Sequence, residues 1–154
     1  MSYYNPIRWI HHDDQLISDI EDKLMADKRA RSIQTRVGKS FKPPSAIEFS
    51  VIVKETEETF RLIEWEDRAG KLYIELTSME NVFRKGHFRH DWHHNPDGRN
   101  IKPPHHIHFP TQNFPFSKRA TYAYPVKSDN DYLSALSKFC NDTNIDLHHA
   151  AIPL

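Results

Sequence analysis

Histidines crowd one stretch of this 154-residue chain. From residue 87 to 111 it reads HFRHDWHHNPDGRNIKPPHHIHFPT, and His87, His90, His93, His94, His105, His106 and His108 make up most of the chain's eleven. Imidazole titrates near neutrality, so it can take a proton, give one or ligate a transition metal. If both halves of the stretch are extended, alternation sorts the side chains. Ile107 and Phe109 point to the core with His105, and His106 and His108 point away. On the incoming half, Phe88, His90 and Trp92 share one face, and His87, Arg89, Asp91 and His93 share the other. With the apolar faces aligned, Arg89, Asp91, His93, His106 and His108 converge on a polar surface, and His94 can turn either way.

Two chemistries suit such a group. One is metal-free cleavage of a phosphodiester, in which a neutral histidine takes the 2′-hydroxyl proton and a protonated one gives a proton to the leaving oxygen. His106 and His108 would be the acid–base pair, with His94 a third participant and no cofactor required. Arg89 would grip phosphate through its two-pronged donors, with His93 beside it, and Asp91 would orient a histidine. The other is a hydrolytic metal centre. There His106, His108, His94 and Asp91 would ligate a divalent zinc, manganese or iron ion. Against both stands a plain solvated sheet face, with Arg89 and Asp91 a surface ion pair of little worth.

The rest of the composition narrows the field. Twenty-one basic residues balance twenty-one acidic ones, so any attraction to nucleic acid must come from a local patch. One such patch runs through Lys28, Arg29, Arg31, Arg36, Lys39 and Lys42 and ends at Pro43–Pro44. It reads as a connection over 28–44, and Lys28, Arg29, Arg31 and Arg36 could add a non-specific grip on backbone phosphate. The single cysteine, Cys140, excludes an internal disulfide and a cysteine-based zinc site. The start of the chain lacks a signal-peptide pattern and the apolar runs are short, so a cytoplasmic protein with no membrane partner is expected. No Gly-rich phosphate loop and no nucleophile elbow compete with the histidines.

The elements that must hold the histidines can be read from periodicity. Leu16, Ile17, Ile20 and Leu24 recur at helical spacing behind Asp13, which predicts an N-terminal helix from Asp14 to about Lys28. Residues 46–55, 59–66 and 71–78 read as strands, the last alternating Leu72, Ile74 and Leu76 with polar neighbours. NPDG at 95–98 marks a turn, and Pro103–Pro104 sets the start of the return strand near His105. A strand over 119–127 precedes a helix from about Asn130 to Asn141. The sum is a single α+β domain over 1–154, an antiparallel sheet of five or six strands with an N-terminal and a C-terminal helix on one face.

Two resemblances rest on these residues. Arg89-x-Asp91, His93-His94 and Pro104-His105-His106-x-His108 resemble the core of the TumE-type toxins of toxin–antitoxin pairs. The pieces HNPDG (94–98), HIHF (106–109) and YAYPV (122–126), followed by a helix, are similar to a family of small uncharacterised bacterial and phage proteins. The resemblance implies a small toxin-like ribonuclease or phosphoesterase acting on RNA or a nucleotide, restrained by an antitoxin. The matched positions are Arg89, Asp91, His94, His106 and His108. A non-enzymatic protein that blocks a host factor is the alternative of a different class.

Overall fold

The computed structural model describes residues 28–35, 46–54, 56–78, 81–111, 114, 116 and 121–147. In chain order these form β1 (Lys28–Thr35), β2 (Ile47–Val53), β3 (Thr59–Glu66), β4 (Leu72–Ser78), β5 (Asn81–Phe88), β6 (His93–His94), β7 (Asn100–Ile101), β8 (His105–Phe109), β9 (Tyr122–Pro125), α1 (Tyr132–Asp142) and β10 (Ile145–Asp146). Eight strands make one sheet in the order β10-β1-β2-β3-β4-β5-β8-β9, and β6 pairs with β7 apart from it. All pairings in the large sheet are antiparallel except β1 with β10.

Alternation builds the core. Phe49 and Val51, Phe60 and Leu62, and Leu72, Ile74 and Leu76 are buried, and the register brings Val51 opposite Phe60, Phe49 opposite Leu62 and Leu62 opposite Leu76. The β3–β4 turn is fixed by Asp67, whose Oδ1 accepts from the backbone N–H groups of Ala69 and Lys71, each at 2.9 Å. Gly70 supplies the positive φ of 84° that the turn requires.

The helix α1 covers this apolar face. Asp131 caps its first turn by accepting from the Ser134 N–H at 2.8 Å. At the other end the Thr143 hydroxyl donates to the Phe139 carbonyl at 2.8 Å. Ala135, Leu136, Phe139 and Cys140 are buried and share a core with Phe88, Ile107 and Phe109. At roughly 1.5–3 kcal/mol for each large apolar side chain, this burial outweighs the helix's own propensity. Gly86 is where the two meet most closely, since a Cβ there would lie 2.9 Å from Phe139 Cδ2.

The expected α+β architecture with a helix from each end is corrected. The described residues are dominated by an antiparallel sheet of eight strands with the single helix α1. The expected N-terminal helix lies outside the described residues, except that its last position, Lys28, opens a strand. The basic stretch expected as a connection over 28–44 contributes β1, paired to β2 along seven positions; residues 36–45 lie outside the description. Among the described residues no helix is long and apolar enough to cross a membrane.

Candidate metal centre

The face of the sheet away from α1 carries the histidines. In β5, Gly86 and Phe88 turn to the helix side, so Lys85 and His87 turn outward. In β8, Ile107 and Phe109 are in the core, which sends His106 and His108 outward as expected from the sequence. The register places His87 opposite His106 and Lys85 opposite His108. Four outward side chains thus make a two-by-two block on adjacent strands, within reach of one another.

Two more histidines close over this block. The β5 strand ends at Phe88, and Arg89 takes a left-handed φ of 64°. That residue resets the alternation, so His90 swings onto the outward face and its ring stacks on His87 with centroids 4.4 Å apart. His93, on β6, brings its ring 5.2 Å from His106 and 4.5 Å from His108. Its Nε2 faces the Thr121 carbonyl at 2.8 Å. A carbonyl only accepts, so His93 donates there and keeps its lone pair on Nδ1. Thr121 also meets His108, whose Nδ1 lies 2.8 Å from the Thr121 hydroxyl.

The inner three form the tightest group. His87, His106 and His108 each offer a ring nitrogen, and these atoms all lie within 4.8 Å of one another. Buried His106 Nδ1 and His108 Nε2 have no hydrogen-bond partner, nor has His90 Nε2. Orphaned ring nitrogens in a dry site are costly unless something else accepts their lone pairs or protons. Burial and the neighbouring imidazoles hold all three neutral. The pKa of His87 is lowered to about 2 and that of His106 to about 3, and His108 is held well below its ordinary value. In each case burial is the larger cause, and mutual repulsion among the rings adds to it. A neutral imidazole is the metal-binding form.

The other residues singled out from the sequence fall elsewhere. Asp91 leaves the block: its carboxylate is 92% exposed and lies 3.7 Å from Lys71 Nζ. The Arg89 backbone N–H donates to His105 Nδ1 at 3.1 Å, and its guanidinium reaches Glu66 at 3.5 Å. His94 is exposed on β6 and bonds Asn100 Oδ1. His105 lies on the helix side, its Nε2 3.0 Å from the Ser128 carbonyl. Lys28 is buried, Arg29 lies on the same strand opposite Ile52, and Arg31 lies where that pairing shifts register. That strand is separated from β5 by β2, β3 and β4. Arg36 is outside the described residues. The structure therefore brings together His93, His106 and His108 and adds His87 and His90.

Asn95 holds the lid of the site. Its side-chain amide donates to the Ala123 carbonyl at 3.0 Å, and its Oδ1 accepts from the Ala123 N–H at 2.8 Å. Both groups are buried, so this amide acts as a short strand that pins the β6–β7 hairpin to β9. Asn95→Ala should cost about 1–3 kcal/mol, because two buried backbone groups lose their partner. Urea unfolding checks the loss, and amide exchange at Ala123 should quicken. Unchanged exchange would show that the hairpin is held some other way.

Rings from β3 and β4 brace the other flank. Trp65 and Tyr73 stack with centroids 5.2 Å apart and planes within 6°. The opposite side of Tyr73 meets His87 and His90 edge-on, at 5.2 and 4.7 Å. The Tyr73 hydroxyl donates to Asp67 Oδ2 at 3.0 Å, which ties this brace to the β3–β4 turn. Comparison with other proteins adds no assignment: no family model, no curated protein and no solved structure matches the chain.

Proposed function

We propose that this protein is a metal-dependent hydrolase whose single divalent transition-metal ion is held by His87, His106 and His108. The observation that carries the reading is the convergence of three ring nitrogens within 4.8 Å, two of these histidines having a buried, unpartnered nitrogen. Zinc–imidazole bonds of about 2.0–2.1 Å need nitrogens closer together than this, so metal binding would have to draw the three rings inward. Three protein ligands with a further position left for water is the pattern of catalytic rather than structural sites. A metal there acidifies bound water into a nucleophile at neutral pH.

The chemistry of the donors supports nitrogen-preferring ions. Among the described residues no carboxylate or thiolate joins the three, so magnesium, calcium and manganese, which want oxygen, are disfavoured against zinc or iron. His108 gains its orientation from Thr121, as ligating histidines do from a partner on the far nitrogen. The metal-free alternative needs a protonated imidazole at neutral pH, and the depressed pKa values of His87, His106 and His108 work against one.

Protein purified without a histidine tag should hold close to one equivalent of zinc or iron by elemental analysis. Reloading the stripped protein should be lost, by at least about a hundredfold in affinity, in His106→Gln and His108→Gln. Circular dichroism on the same variants separates lost ligands from lost folding. Hydrolysis of a model phosphodiester should fall with EDTA and return with metal. Stripped protein that takes up no stoichiometric metal would sink the reading.

A further inference from the structure

We infer that the metal, expanding to a fifth position beside its bound water, takes an anionic oxygen, a phosphoryl or carboxylate group of the substrate, and that Lys85 holds that group's charge beside it. This inference rests on the metal reading above and deepens it.

The argument begins with charge. Three imidazoles are neutral donors, so a divalent ion bound by them keeps its full charge of +2. His106 and His108 are buried, and an uncompensated charge in such surroundings is strongly disfavoured. The acids around the site are committed elsewhere or stand off. Asp91 points to solvent beside Lys71, Glu66 is engaged by Arg89, and Asp67 accepts from Tyr73 and the turn. Glu75 lies one strand over, opposite Lys85, and does not enter the group of ligand atoms. Among the described residues none of these acids joins the ligand atoms, which leaves the charge for a bound anion to compensate.

Lys85 is placed to select it. It is the fourth corner of the block, opposite His108 and two residues from His87. Its Nζ lies 5.6 Å from the centre of the Phe116 ring, a contact that restricts the ammonium. Both His87 and His108 feel its charge. A metal and an ammonium on the same side suit a group with two oxygens, one bound to each.

The test uses the full chain loaded with cobalt(II), whose visible spectrum reports ligands at the metal. Inorganic phosphate and acetate are titrated separately, which distinguishes phosphoryl from carboxylate oxygen. At least one should give a saturable change. Its dissociation constant should rise roughly tenfold in Lys85→Gln, as expected for loss of one nearby charge, and stay near the original in Lys85→Arg. If cobalt binds but neither anion alters the spectrum, the inference is overturned and the metal reading stands. Equal anion affinity in Lys85→Gln likewise removes Lys85 from the role. If cobalt does not bind at all, the metal reading fails and the inference fails with it.

Discussion

Acidifying the metal-free protein from pH 7 towards pH 5 should cost it roughly 4 kcal/mol of stability. In the unfolded chain imidazoles protonate near pH 6.5. In the folded chain His87 and His106 stay neutral down to about 2 and 3, and His108 is also held well below its ordinary value. The unfolded state therefore binds more protons below pH 6.5. The contribution of these groups is complete above that pH and is lost as pH falls through the gap. Each histidine is worth about 1.4 kcal/mol per pH unit there.

Glu64 runs the other way. Burial pushes its carboxyl up to about 9, so its contribution is complete below its ordinary value of 4.5 and drains away as pH rises towards 9. Three histidines set against one such carboxyl leave a net loss of roughly 2.7 kcal/mol per pH unit on acidification. A domain of this size holds about 5–15 kcal/mol in total. Stability should peak near neutrality, with Glu64 governing the fall from there towards pH 9. Cys140, Tyr124 and Tyr132, whose protons burial also holds on, add to it beyond. Urea midpoints at a series of pH values measure this, and His106→Gln should flatten the acid limb. Bound metal should move that limb to lower pH, since protons must displace it. A flat profile between pH 7 and 5 would contradict the burial of the cluster.

Gly86→Ala should cost about 3 kcal/mol, at the upper end for overpacking. The added Cβ would lie 2.6 Å from Phe88 Cε2 and 2.9 Å from Phe139 Cδ2. Both rings are fully buried, so neither can turn aside. The backbone must give instead, either by lifting α1 or by bending β5 outward. Phe139→Leu should recover part of the loss in a double-mutant cycle, because it vacates the ring edge that the methyl strikes. Gly86 also sits between Lys85 and His87, so a bent strand should weaken metal uptake. A Gly86→Ala protein within 0.5 kcal/mol of the parent would remove this account of the helix contact.

Much of the frame was legible because one face of each strand is dry. The alternation of Leu72, Ile74 and Leu76 located β4, and Ile107 with Phe109 gave the outward direction of His106 and His108. The stripe Tyr132, Leu133, Leu136, Phe139 and Cys140 located α1, although Leu133 turns out exposed. The misses have local causes. Alternation was carried through Arg89, whose left-handed backbone breaks it, so Arg89 and Asp91 were grouped with the histidines and His90 with the core. The strand β5 was hidden because its inward side includes Gly86 and the buried Arg84 rather than an apolar run. His87 was given its face on the incoming half of the stretch, yet it was not among the named ligands. The basic β1 looked solvated because its strand form comes from pairing with β2, which no local pattern reveals.

The lid hairpin has an effect beyond the site. β9 is the terminal strand of the sheet, and such an edge invites a strand from another molecule. Here the Thr121 carbonyl just before it is taken by His93, both backbone groups of Ala123 are taken by Asn95, and Pro125 has no N–H to offer. The same contacts that roof the histidines leave this border with little for a foreign strand to pair with, so the hairpin also guards the protein against polymerising through β9.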